Sequence, residues 1–220
     1  FVIFAITKLP GSKNENVDKL NLKPTLKRLF SNRLYLEGVV AQAFYVGAQI
    51  MCWTFIIHYG VNELEMTKAE AQSYNMVAMV IFVSSRFICT YLLKYINPGQ
   101  LLMALALGGG VFTLGTIFIS GIMGLYSLVA VSACMSLMFP TIYGIALKGL
   151  GEDAKIGSAG LILAIGGGSL MPPLQGAIID MSSFSMGEFM LSSTRVSFCL
   201  PVICFIVIGF FGWNTARKQT

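Results

Sequence analysis

Six apolar runs, each about as long as a bilayer core is thick, follow one another along this chain with mostly short polar breaks. A hydrocarbon layer of about 30 Å takes about 20 helical residues to cross, and the runs at 34–59, 73–96, 99–119, 123–147, 156–180 and 193–214 meet that length. Inside lipid each backbone N–H and C=O needs a partner within the protein, so runs of this length form helices. Only 11% of the residues are charged and the mean hydropathy is +0.75, against about 25% charged in a soluble domain. The expected fold is an all-α integral membrane bundle of six transmembrane helices, with the lipid bilayer as its main partner.

The formal charge of +5 and the pI near 9.0 do not imply a nucleic-acid partner, because the basic residues sit between apolar runs, where they set topology. Lys8, Lys13, Lys19, Lys23, Lys27, Arg28 and Arg33 precede the first run; Lys94, Lys148, Lys155, Arg217 and Lys218 fall on the same side, and Lys68 and Arg195 on the other. The bias places both chain ends in the cytoplasm. The opening FVIFAI is too short to span a bilayer and reads as the last turns of a preceding helix, so the chain is expected to be part of a longer one. The domains are then 1–7, the end of that helix; 8–33, a basic cytoplasmic linker; 34–214, the six-helix unit; and 215–220, a cytoplasmic tail. Five cysteines lie in apolar segments without a CxxC spacing, and His58 is the only histidine. No metal site, cofactor or catalytic set is expected, and GGGS lacks the GK[ST] ending of a phosphate loop.

Small residues recur four apart at Ala43 and Gly47, Ala104 and Gly108, Ser132 and Ser136, and Gly160, Ala164 and Gly168, a spacing that lets helix backbones approach. Pro140 in the fourth run, and Pro172 with Pro173 in the fifth, free backbone carbonyls. In a membrane such groups must be received by neighbours or by a water-filled cavity.

Polar side chains inside the apolar runs carry the functional signal. Gln42, Tyr45, Gln49 and Trp53 share one face of the first helix over about three turns, with Cys52 beside them. Unpaired amides in hydrocarbon cost several kcal/mol each, so this face lines a cavity or meets another polar helix. Two carboxamides and an aromatic pair suit a polyol, since amides both donate to and accept from hydroxyls and flat rings cover the C–H face of a sugar. Ser132, Met135, Ser136, Phe139 and Tyr143 share a face of the fourth run, which holds the same place in its trio of spans as the first does. Asn75, Met79, Phe82 and Arg86 align on the second, with Arg86 about two turns inside the cytoplasmic end. A charge there is a gating candidate or a structural one that snorkels or pairs. No acid stands at mid-membrane: Glu37 and Asp180 are at span ends.

YVGAQIMCW (45–53), FPTIYGIALKGLGEDAKIGSAG (139–160) and GGGSLMPPLQG (166–176) together resemble the C-terminal half of the L-fucose:proton symporter family of the major facilitator superfamily. The resemblance implies helices 7 to 12 of a twelve-helix fold and alternating access between two halves. It also implies a sugar site at the midplane and proton-coupling carboxylates in an N-terminal six-helix half. Sugar, protons and that half are the implied partners, and a bacterial inner membrane the implied location. By that likeness Tyr45, Gln49 and Trp53 lie on the cavity side of the seventh helix, and Phe139 and Tyr143 on that of the tenth. Met138 stands where the fucose pattern has glutamine, and Ser85 precedes Arg86 where it has glycine; the first difference leaves the sugar open. A carrier of a non-sugar solute, or a self-contained six-span scaffold, are the alternatives.

Overall fold

The computed structural model describes residues 22–181, 184–186 and 189–218. The expected helix end at 1–7 and the linker up to residue 21 lie outside the described residues, as does the end of the tail.

Among the described residues six helical spans are long and apolar enough to cross a membrane: Arg33–Leu64, Lys68–Leu92, Pro98–Phe118, Ile122–Leu147, Gly151–Ile179 and Ser193–Lys218. Several begin at a side-chain cap. Asn32 accepts from the Tyr35 N–H, Thr67 and Glu70 form a reciprocal capping box, Asn97 accepts from the Gly99 N–H ahead of Pro98, and Ser192 accepts from the Arg195 N–H. These side chains satisfy N–H groups that the first helical turn leaves without partners. The first span runs past the expected boundary at 59 to Leu64, and the second begins and ends earlier than expected, at Lys68 and Leu92.

Within the basic segment before the first span, Leu22–Ser31 forms a helix of its own. Its Leu29 is buried against Tyr35, Ala146 and Leu161, and Arg28 clasps Asp153 through Nε and Nη2 at 2.8 and 2.7 Å. A short hairpin between the fifth and sixth spans, Phe184–Met186 antiparallel to Phe189–Leu191, was also not foreseen.

The first span is the axis of the bundle and packs against the second, fourth, fifth and sixth; the third packs on the fourth and sixth. Small residues set these distances. A Cβ on Gly168 would lie 2.8 Å from both the Ala43 carbonyl oxygen and the Gly47 nitrogen, so two of the small-residue series meet where the first and fifth spans cross. The third and sixth spans run antiparallel along a second seam, where a Cβ on Gly99 would come within 2.7 Å of the Ala216 nitrogen and one on Gly212 within 2.8 Å of the Met103 nitrogen. The C-terminal end of the first span is tied to the start of the sixth by Ser192 donating to Glu63 and by Asn62 donating to Thr194 at 3.1 Å.

Burial is uneven. In their most apolar windows the second and fifth spans bury 22% and 17% of their residues, whereas the other four bury 39% to 56%. The second and fifth spans thus flank the axial helix with largely uncovered sides.

Candidate functional site

Proline sets the geometry of the site. Pro140 has no N–H to give the carbonyl four residues back, and its ring crowds that carbonyl. The fourth span accordingly breaks into Ile122–Met135 and Met138–Leu147. Two carbonyls at the break are received by side chains from other spans. Arg86 Nε donates to the Ser136 carbonyl at 3.0 Å, and the Tyr45 hydroxyl donates to the Met135 carbonyl at 3.0 Å. Neighbouring side chains, as expected for such a break in lipid, hold the discontinuous helix.

An aromatic chain continues from these caps. The Arg86 guanidinium lies 5.0 Å from the Phe82 ring centroid, within cation–π range. Phe82 meets Trp53 edge-on at 5.0 Å, and the Trp53 indole N–H donates to the Ser132 hydroxyl at 3.2 Å. On the other side Tyr45 meets Phe139 edge-on at 6.1 Å, and Phe139 stacks on Tyr143 at 6.3 Å with an interplanar angle of 11°. Ser136 further reaches the Cys89 thiol at 3.8 Å. The first, second and fourth spans therefore share one connected polar and aromatic cluster that contains Tyr45, Trp53, Arg86, Phe139 and Tyr143.

The expectation of a single cavity-facing stripe on the first span differs from this arrangement. Gln42 and Tyr45 are 0% exposed, sealed within the bundle, whereas Gln49 and Trp53, one and two turns further along the helix, are half-buried. The burial is that of the six-helix bundle by itself, so no further part of a larger protein is needed to cover the sealed pair. Rocking the bundle as a rigid body would not uncover them. Gln42 keeps both amide atoms buried without a hydrogen-bond partner. Asn75 is 6% exposed, with its side-chain oxygen likewise unpartnered. Phe139 and Tyr143 are half-buried.

Arg86 departs from the ion-pair reading: among the described residues no carboxylate lies within salt-bridge distance of it. Its charge sits on an aromatic face and a backbone oxygen, with the residue itself exposed.

Helical periodicity places Phe82 on one face with Arg86, but its role as the hub joining Trp53 to Arg86 carries no local signal. Gln175 is fully buried and donates to the Ser197 hydroxyl at 3.1 Å, joining the fifth and sixth spans; a lone amide in an apolar run was its only mark. The accessible groups here are an amide, aromatic rings and a guanidinium, the chemistry that can bind and orient a polar solute.

No protein-family model matches the chain. It is 52% identical over 215 residues to the L-fucose-proton symporter of Haemophilus influenzae, covering 97% of this chain and 49% of that protein. It is 33% identical over 223 residues to the L-fucose-proton symporter of Escherichia coli, covering 100% of this chain and 48% of that one. To the glucose/galactose transporter of Brucella abortus it is 30% identical over 213 residues, covering 96% of this chain and 49% of the other. Its fold superposes on a crystal structure of a variant of the E. coli fucose:proton symporter with a TM-score of 0.84 at 32% identity, covering 97% of this chain and 51% of that chain. On a major facilitator transporter crystallised in the outward conformation the TM-score is 0.83, again at 32% identity, covering 97% of this chain and 50% of that chain. The chain spans about half the length of the curated relatives it matches.

Proposed function

From the premise that the chain belongs to the fucose-symporter-like branch of the major facilitator superfamily and carries half of its fold, we propose that it is the C-terminal half of a proton-coupled sugar transporter. It comprises helices 7 to 12, sits in a bacterial inner membrane with both ends in the cytoplasm, and works by alternating access against an N-terminal six-helix half. The sugar is L-fucose or a related hexose, and the proton-coupling carboxylates belong to the other half.

One observation carries the reading: within a connected cluster of the first, second and fourth spans, Trp53, Phe139 and Tyr143 remain half-buried, and so does Gln49, one turn before Trp53 on the same helix. In this arrangement Gln49 exchanges hydrogen bonds with sugar hydroxyls, and Trp53 or the Phe139–Tyr143 pair covers the apolar face of the ring. Arg86 stands at the cytoplasmic side of the cluster as a gating charge. Gln42, Tyr45 and Asn75 act from inside the bundle by shaping the wall. The uncovered sides of the second and fifth spans receive the partner half.

The test is sugar uptake by the whole transporter carrying Gln49→Ala, with Trp53→Ala and Tyr143→Ala in parallel. Loss of one amide bond to the sugar, worth about 1 to 1.5 kcal/mol, raises KM about five- to twelvefold. Unchanged uptake in all three variants would refute the assignment. A competition panel of deoxyhexoses, aldohexoses and lipophilic cations separates a sugar carrier from a carrier of other solutes.

A further inference from the structure

The third and sixth spans leave a groove on the outer side of the bundle, away from the cluster of the first, second and fourth spans. Its volume is about 450 Å³ and its lining is apolar throughout. Ala106, Gly110 and Gly209 form its floor, and Leu107, Ile206 and Phe210, exposed by 61%, 65% and 58%, form its rims. Glycine makes it deep: a Cβ on Gly110 would meet only the Phe205 Cβ, at 3.8 Å. Lining residues run from Met103 to Leu114 on one helix and from Val202 to Trp213 on the other. At 1.5 Å per residue that is a length of about 16 Å, close to one leaflet of a hydrocarbon core about 30 Å thick.

A single end of the groove is charged. Trp213 closes it there, and the Arg217 guanidinium lies over the Trp213 ring at 5.0 Å from the centroid. Arg217 is exposed, as is Lys218, and among the described residues no carboxylate is within salt-bridge distance of either. An apolar slot of leaflet length ending in an indole and an exposed cation matches one class of molecule in both shape and charge.

We infer that this groove holds a phospholipid with an anionic headgroup, one acyl chain lying between the third and sixth spans and the phosphate on Arg217. The orientation rests on the cytoplasmic placement of the chain end proposed above, which puts the headgroup in the inner leaflet. The glycerophosphate accepts hydrogen bonds from the guanidinium, the indole sits at headgroup level as interfacial tryptophans do, and the acyl chain fills the slot that Gly110 and Gly209 keep open.

The experiment is native mass spectrometry of the whole transporter, purified from bilayers of equal phosphatidylglycerol and phosphatidylethanolamine. Wild type is expected to retain one phosphatidylglycerol. Gly110→Leu, which fills the slot where there is room for a side chain, loses it. Val111→Trp fills the slot from its rim and serves should Gly110→Leu fail to fold. Arg217→Gln keeps a lipid but loses about fivefold of the preference for phosphatidylglycerol, the effect of one surface cation. Equal lipid retention in wild type and the slot-filling variants overturns the inference, as does an unchanged headgroup preference in Arg217→Gln. A dimer that the slot-filling variants dissociate would do the same, assigning the groove to a second copy of the chain. Lipid retention is read without transport, so its failure leaves the sugar reading standing, and the reverse.

Discussion

Replacing Tyr45 by phenylalanine removes one oxygen and little else. The ring is 0% exposed, and its edge contact with Phe139 at 6.1 Å survives, but the Met135 carbonyl loses the hydroxyl that donates to it at 3.0 Å. A buried acceptor stripped of its partner costs about 1 to 3 kcal/mol in a soluble protein. Interhelical bonds measured in a membrane average about 0.6 and reach about 1.7. This carbonyl lies at a helix break, where an alternative backbone donor is hard to find, so the upper part of the membrane range applies, about 1 to 1.5 kcal/mol. For a unit of this size the melting temperature then falls by about 2 to 6 °C, measurable by intrinsic fluorescence of the purified whole transporter. Because the hydroxyl is turned to the backbone, KM for sugar stays within about twofold, well under 1 kcal/mol. An unchanged melting temperature with KM raised about tenfold would refute this, because the hydroxyl would then be serving the sugar.

Arg86→Lys keeps the charge but removes the Nε–H that holds the Ser136 carbonyl, and lowers stability by about 1 kcal/mol. Combined with Tyr45→Phe its effect is non-additive, since both act on one break; strict additivity in thermal melts would separate the two caps. Gln42→Met replaces an amide with two unpartnered buried atoms by an apolar chain of similar length, and raises stability by about 1 kcal/mol; a lower melting temperature would show that the amide has a partner. Gly168→Val drives a side chain against backbone atoms 2.8 Å away on the first span and is expected to abolish stable expression, while Gly144→Ala, whose Cβ meets nothing within 4 Å, is tolerated. Equal yields of the two variants would contradict the crossing.

Hydropathy located the third and fourth spans within a residue, because sharp polar or glycine breaks bound them on both sides. It misplaced the start of the second because that helix begins in a polar stretch. The Thr67–Glu70 capping box, legible as T-x-x-E, marks the true start. Helical periodicity correctly placed Gln42 and Gln49 seven residues apart on one face, but it holds no information about what covers each turn. Tertiary packing seals the first and leaves the second half-open. Pro140 announced a break and freed carbonyls. That Arg86 and Tyr45 receive them depends on contacts across 50 and 90 residues, which no local pattern encodes. The Gly99–Gly212 seam is of the same kind, joining residues from distant spans.

Equilibrium binding of L-fucose to the whole transporter, compared between Gln49→Ala and Gln42→Ala, is the most direct measurement available. On the proposed reading, which puts Gln49 on the solute path and Gln42 inside the bundle, the first substitution weakens binding about tenfold and the second changes Kd by less than about twofold. Weakening by Gln42→Ala with Gln49→Ala at wild-type affinity would contradict the placement of the sugar on the half-open part of this wall.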